Sequence, residues 1–501
     1  MIKSSHVTSQ IALAQPDSTL GSAHPYNDLG APSIPRSLRN GWEPESKSSR
    51  GIKPLLLALL LLLPLTVHRA LAQALPAASP ISTGFSLPSV AGTMQYAVSA
   101  SQSVSSNYFG DSGIASSTNL NGDLAFITSS SRDPSSVVFS GGRSWSNSGQ
   151  PSYNYLNLSL SQAFQVQRWI FSLSDAVNYL PQTASTGLSG IPGTGDLGVN
   201  PVQTGPTSGQ PGSTPAPTAA NPGQGVLSGF STRVDNTSSL SLARQITGKT
   251  SFNASGSYSL TRFLSNSGSS TVPSSPGLNT DGDSVGASLS HRIDALNSLA
   301  GNFAYSRNTY SGSGPGILQP GFSSQTASLQ LSHQFTRKLS TSLAAGPQWT
   351  SIDSPGLTPA LSLFANLSAT FTGKFSQATL AYSRSSNSGF GVVGGAISNS
   401  VTFSTGRTFD RVWMVALTAA YTQTSNLPLA ATLPFTFHTT VAGVQVSRAL
   451  ARTLSAYASY TLQKQSNQGT GAAVDLFSGL SNVAGFGLTF SPSAVRLGGH
   501  S

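Results

Sequence analysis

The stretch Leu331–Gly346 constrains the chain more than any other. Leu329, Leu331, His333 and Phe335 alternate with Gln330, Ser332 and Gln334 up to a short basic turn, Thr336-Arg-Lys338. After the turn Leu339, Thr341, Leu343 and Ala345 alternate with Ser340, Ser342, Ala344 and Gly346. Apolar and small polar residues in period two make a strand with one greasy and one wet face. The unit recurs at Leu242–Lys249, Leu289–Leu296 and Leu367–Lys374, and more loosely at Leu160–Arg168, Thr408–Val412 and Val446–Arg452. From Ile246 its apolar turn residue returns at Ile293, Phe335, Phe371, Phe409 and Leu450, at intervals of 47, 42, 36, 38 and 41. Such a period also fits propeller blades or solenoid coils. Here each unit is two strands of about ten residues with one short and one longer connection, the hairpin pattern of a closed antiparallel transmembrane β-barrel.

Composition agrees. Charged residues are 8% of the 501, against roughly 25% in ordinary soluble proteins. A surface that poor in charge suits lipid. The absence of cysteine removes disulfides, Cys-ligated zinc, thiol catalysis and acylation at an N-terminal Cys. The net charge is +10 and the pI about 9.9, yet the bases are spread one or two per hairpin, so a nucleic-acid partner is not expected. From Gln73 onward there are 19 Lys and Arg, 12 Asp and no Glu. His291 and His333 occupy equivalent positions near turns and read as interface packing, not metal ligands. Without a nucleophile elbow, phosphate loop or carboxylate cluster, neither an enzyme nor a cofactor is expected.

Residues 1–50 are polar, irregular and Pro/Ser-rich, and read as a disordered extension or as a start assigned too early, since no Met lies between Met1 and Met94. Residues 51–72 read as a signal peptide. Lys47, Arg50 and Lys53 precede the apolar run Leu55–Val67, and Ala70-Leu-Ala72 offers cleavage between Ala72 and Gln73. A membrane helix needs about 20 apolar residues, whereas this run is broken by Pro64 and ended by His68-Arg69. Residues 73–91 form a periplasmic linker, too short for a plug domain, a passenger or a peptidoglycan-binding module. Residues 92–490 are the barrel, and 491–501 a tail.

Eighteen strands are expected, with 16 open because the first is weakly marked. The spans are 93–106, 122–131, 135–146, 152–164, 168–180, 235–246, 250–262, 283–293 and 297–309. Then follow 323–335, 339–350, 359–371, 375–386, 397–408, 412–424, 435–449, 453–465 and 479–490. An even number follows from tight turns on one side with both termini there. Tight turns belong in the periplasm and the longer loops outside. The Gly/Pro/Thr/Ser/Gln-rich loop 181–234 cannot build a core. It is expected either disordered outside the cell or folded back into the lumen.

Aromatic residues collect at two levels. Phe164, Trp169, Phe335, Phe371, Phe375, Phe409 and Trp413 lie near the turns; about eight residues on lie Tyr179, Tyr258, Tyr305, Trp349, Tyr382, Tyr421 and Tyr460. Eight residues at about 3.3 Å, tilted about 40°, span roughly 20 Å, which fits two girdles round an apolar band. A soluble sandwich with core aromatics would not hold Tyr at a constant distance from every turn. Arg132, Arg168, Lys249, Arg292, Arg337, Lys338, Lys374, Arg411 and Arg452 lie at the turns, where they meet lipid phosphates or simply water. Arg262, Arg307, Arg384 and Lys464 lie beyond the Tyr level. There they contact anionic surface glycolipid or weight the mouth towards anions.

On these features residues 93–490 resemble the outer-membrane β-barrel proteins of Gram-negative bacteria, and more loosely their porins. The last strand, Val483-Ala-Gly-Phe-Gly-Leu-Thr-Phe490, resembles the aromatic-ended assembly signal of that class, although 11 residues follow it. The resemblance implies export to the outer membrane and insertion by the barrel-assembly machinery. TonB-dependent receptors do not fit, because no plug precedes the barrel. Barrels of 16–18 strands leave an aqueous lumen. An inner face of Ser, Thr, Gln, Asn, Ala and Gly would pass small hydrophilic solutes with little selectivity. The alternative is a non-channel scaffold, adhesin or envelope or polysaccharide-export component displaying the 181–234 loop.

Overall fold

The computed structural model describes residues 92–108, 111–128, 133–146, 152–181, 232–264, 278–311, 320–354, 358–388, 395–410, 412–427, 435–468, 478–493 and 495–497. The signal segment with Ala72 and Gln73, the linker, loop residues 182–231, Arg132 and Arg411 lie outside the described residues. The first strands are β1 (Gly92–Tyr108), β2 (Asp111–Thr128), β3 (Ser135–Ser146), β4 (Tyr153–Val166), β5 (Trp169–Pro181) and β6 (Thr232–Gln245). Next come β7 (Thr250–Leu264), β8 (Asn279–Arg292), β9 (Asn297–Ser311), β10 (Phe322–Thr336), β11 (Leu339–Ile352) and β12 (Ala360–Thr372). The last are β13 (Ser376–Asn387), β14 (Ala396–Phe409), β15 (Trp413–Asn426), β16 (Thr436–Ala449), β17 (Leu454–Gln468), β18 (Gly479–Phe490) and β19 (Val495–Leu497).

Each strand pairs antiparallel with its neighbours in sequence, and β1 pairs with both β2 and β18, so eighteen strands close into a barrel. Followed rung by rung round the wall, the ladder returns to β1 displaced by about 22 residues. With strands about 4.8 Å apart and about 3.3 Å per residue, that displacement tilts the strands by about 40° and gives a backbone radius of about 18 Å.

Period two sorts the side chains. The rung Leu331, Leu343, Leu367, Tyr382, Val401 and Tyr421 is apolar throughout and faces outward. One residue along each strand, Gln330, Ala344, Asn366, Ser383, Ser400, Thr422 and Thr439 face inward. The outward face is left uncovered: Leu361 is 68% exposed, Leu329 65% and Phe486 63%. The inward face is stitched by hydroxyl pairs one strand apart, among them Ser174 with Ser239 at 2.6 Å, Ser257 with Ser284 at 2.7 Å and Ser398 with Thr424 at 2.9 Å. A polar interior and an apolar exterior invert the soluble pattern, and such a band is at rest only in hydrocarbon.

The tight turns are built by their first polar side chain. Thr336 Oγ1 accepts the N–H groups of Lys338 and Leu339 at 3.2 and 3.0 Å. Thr247 does the same for Lys249 and Thr250. In the β8–β9 turn Asp294 replaces the hydroxyl. Its carboxylate accepts the Asn297 side-chain amide at 2.8 Å and the N–H groups of Leu296 and Asn297 at 2.7 and 2.8 Å. These bonds, that from the Asn297 side chain foremost, hold its pKa below the ordinary carboxylate value. Its contribution is therefore complete above the unfolded-state pKa and is lost as pH falls through the folded one.

Two expectations are corrected and one is extended. β2 starts at Asp111, not near 122, and pairs with β1 as far as Tyr108. Its first half, Asp111-Ser-Gly-Ile-Ala-Ser-Ser-Thr-Asn119, carries no apolar–polar alternation; cross-strand hydroxyls such as Ser103 with Ser117 at 2.6 Å hold it. Within the 491–501 tail, Val495–Leu497 form a strand, β19, paired with Met94–Gly92 of β1. The inner face is not only small and polar: Tyr155, Tyr457, Phe322, Phe437 and Val441 face inward and are buried. Tyr155 lies over Gly142 and Tyr457 over Gly487, each opposite its glycine on the next strand.

A Cβ at Gly142 would stand 2.3 Å from the Leu120 carbonyl oxygen and 2.5 Å from the Tyr155 hydroxyl, whereas at Gly301, on the outer face, nothing lies within 4 Å. Gly142→Ala is therefore expected to destabilise the barrel by about 1–3 kcal/mol in denaturant unfolding from lipid vesicles, with Gly301→Ala close to wild type. Equal midpoints for the two variants would contradict the packing described.

Candidate functional site: lumen wall and rims

Within the strands, few charged side chains occupy inward positions. Among the described residues these are Asp123 of β2, Arg233 and Asp235 of β6, Arg292 at the end of β8 and Arg496 of β19. Arg233 and Asp235 form an ion pair at 2.9 Å, and Thr261 donates to the same Asp235 carboxylate at 2.8 Å. Apart from the inward aromatic and aliphatic residues, the rest of the wall is hydroxyl, amide and small side chains, which bind no ion strongly.

The wall is not uniform. At the long-loop end Tyr310 and Phe322 stack at 6.4 Å, and Tyr310 donates its hydroxyl to the Ser388 carbonyl at 3.1 Å. Ser388 follows β13, four strands away, so the start of that connection leans across the inner wall. Gly395, at φ +91°, packs under Leu427 and Phe322, and Leu427 N–H donates to its carbonyl at 3.2 Å. Phe435 and Phe437 continue this inward apolar cluster.

The outer-rim bases take outward positions. Arg262, Arg307, Arg384 and Lys464 share rungs with Val234, Val285's neighbour Asp283, Ala365 and Thr440 on the face that carries Leu343 and Tyr421. They point away from the lumen and do not line its mouth. Of the girdle, Trp169, Tyr258, Tyr305, Trp349, Tyr382, Trp413, Tyr421 and Tyr460 all share that outward face. Three of these tyrosines tie down their hydroxyls: Tyr258 donates to Asp281, Tyr460 donates to Asn482, and Tyr421 bonds His438 Nδ1, each at 2.9 Å. Of the turn bases, Arg168, Lys249, Arg337, Lys338, Lys374 and Arg452 sit in the turns and Arg292 ends β8.

Sequence reasoning missed a second basic set at the turn end. Arg244 lies over the Trp169 ring at 4.7 Å, Arg407 over Phe409 at 4.8 Å and Arg448 over Trp413 at 5.1 Å, beside Lys374 over Phe375 at 5.1 Å. Arg244 and Trp169, like Arg448 and Trp413, are rung partners from different hairpins and have no common spacing in the chain. Arg407 and Phe409, two apart on one strand, were the available signal. His333 Nδ1 lies 2.7 Å from Asn297 Oδ1 with its ring edge-on to Phe335 at 4.3 Å, and His291 Nδ1 lies 2.9 Å from Thr250 Oγ1. Among the described residues no group of three His, Asp or Glu is placed to hold a metal ion.

No family model matches the chain, and no curated protein matches it. Among solved structures it is similar to Pseudomonas aeruginosa OpdQ at 8% identity and a TM-score of 0.37, over 81% of this chain and 99% of that one. It is also similar to P. aeruginosa OpdO at 11% and 0.40, over 81% and 97%. The siderophore receptor PirA from Acinetobacter baumannii gives 8% and 0.40, over 81% of each chain. At such values the fold rests on the strand registers above.

The stacked bases tie the turn end to its aromatic rings. Removing one, as in Arg448→Gln, is expected to cost about 0.5–1 kcal/mol in vesicle unfolding. A cycle with Trp413→Leu should return most of that as coupling; zero coupling would mean the stacking is incidental.

Proposed function

We propose that this chain is an outer-membrane β-barrel serving as a general diffusion pore for small hydrophilic solutes, reached after export and removal of a signal segment between Ala72 and Gln73. The observation that carries the reading is a closed ring of eighteen strands, apolar outside, with an inner wall of hydroxyls and amides almost free of charge. A backbone radius of about 18 Å leaves room for water once short side chains line it. Arg233 is neutralised by Asp235, and the rim bases face outward, so the wall offers no anion filter. The outward Phe486, Leu488 and Phe490 of the closing strand supply the aromatic end on which barrel-assembly machinery would act.

A second reading is favoured by the inward cluster of Phe322, Leu427, Phe435 and Phe437, which narrows one side of the long-loop end. On that reading the barrel is a scaffold or adhesin that displays the 181–234 loop, or a part of an envelope or polysaccharide-export system.

Gln73–Ser501 refolded into planar bilayers is expected to give steady conductance steps, with K⁺ and Cl⁻ permeabilities within about a factor of two of each other. Silence would sink the pore reading and favour the scaffold. Strong anion selectivity would overturn the account of the wall.

A further inference from the structure

At the long-loop end the outward charges of β7–β9 and of β13–β17 form two unlike arcs, while Arg143 of β3 stands apart from both, over the Trp145 ring at 5.6 Å. On β7–β9 the cations are already matched. Arg262 grips Asp281 through two bonds of 2.7 and 2.8 Å, and Arg307 reaches Asp353 at 3.2 Å while sharing a rung with Asp283. On β13–β17 they are not. Between residues 376 and 468 the only carboxylate is Asp410, at the tight-turn end. Among the described residues Arg384 and Lys464 therefore have no acidic partner.

The two arcs also differ in their neutral neighbours. Arg384 shares its outward rung with Asn399, Gln423 and His438, and Lys464 shares the adjacent one with Thr440, Tyr421 and Tyr382. Asn399 Oδ1 accepts one Arg384 N–H at 2.7 Å, which fixes the guanidinium and leaves its other donors unused. Arg384 and Gln423 stand one step beyond the Tyr382 and Tyr421 level, where hydrocarbon gives way to headgroups. A planar fork suits two phosphate oxygens, an ammonium adds a point charge, and amides and hydroxyls between them suit sugar hydroxyls.

We infer that the outward β13–β17 arc is a binding surface for the phosphorylated sugar headgroup of an outer-leaflet glycolipid, and that the β7–β9 arc is not. The inference rests on the outer-membrane placement but not on conduction.

The test uses the full mature chain, folded in vesicles and judged folded by heat-modifiable gel mobility. Binding of purified lipopolysaccharide would be compared for wild type, Arg384→Gln/Lys464→Gln and Arg307→Gln. About tenfold weaker binding is expected in the double variant, from loss of two charge-assisted contacts, with Arg307→Gln unchanged. Unchanged binding in the double variant, or equal loss in Arg307→Gln, overturns the assignment. So does equal competition by phosphatidylglycerol, which would make the arc a general anion surface. Conductance of the same samples separates the outcomes: silent channels that keep this binding contrast would fail the pore reading and leave the glycolipid surface standing.

Discussion

Closure is the constraint on which everything else depends. In hydrocarbon an unpaired N–H or C=O costs several kcal/mol, so a sheet can sit there only without edges. β1 meets that demand by bonding β2 on one side and β18 with β19 on the other. Once closed, each strand has one lipid-side and one lumen-side face, and period two decides which residue sees which. The wall needs no core in the usual sense. Lipid supplies the apolar solvent outside, and on the lumen side many Ser, Thr, Asn and Gln side chains bond a partner one strand away.

Much of this is written in the sequence. The spacing from Ile246 to Leu450 marks hairpins because apolar turn residues and girdle tyrosines must lie at fixed depths, whatever the sequence between them. Strands that cross lipid therefore announce themselves; strand ends above it do not. The start of β2 scatters Gly, Ile and Ala among Ser, Thr and Asn over both faces, so no alternation is left to read. Depth along a strand is legible, but direction at the rim is harder. The sequence sets Arg262, Arg307, Arg384 and Lys464 beyond the tyrosines along their strands, yet only parity carried along an unbroken register shows that they point away from the lumen. Partners from different hairpins, such as Arg448 and Trp413, become neighbours only through the register of the finished sheet.

The interior aromatics have a different logic. Tyr155 and Tyr457 flank the strands where the chain's two ends meet, each laid across a glycine on the strand next to it. A ring over a bare backbone fills the groove left by the missing side chain and shields the hydrogen bonds below from water. These two ring–glycine contacts thus lie on either side of the β18–β1 pairing, the one pairing that no covalent connection joins.

That same seam carries a small irregularity. Val98 pairs with Phe490 and Met94 with Val495, so one extra residue is absorbed on the closing strand between its two segments. The offset puts odd-numbered Val495 on the same outward side as even-numbered Phe490. The apolar outer face of the seam therefore continues past the end of β18, as a lapped joint lengthens the overlap of a hoop.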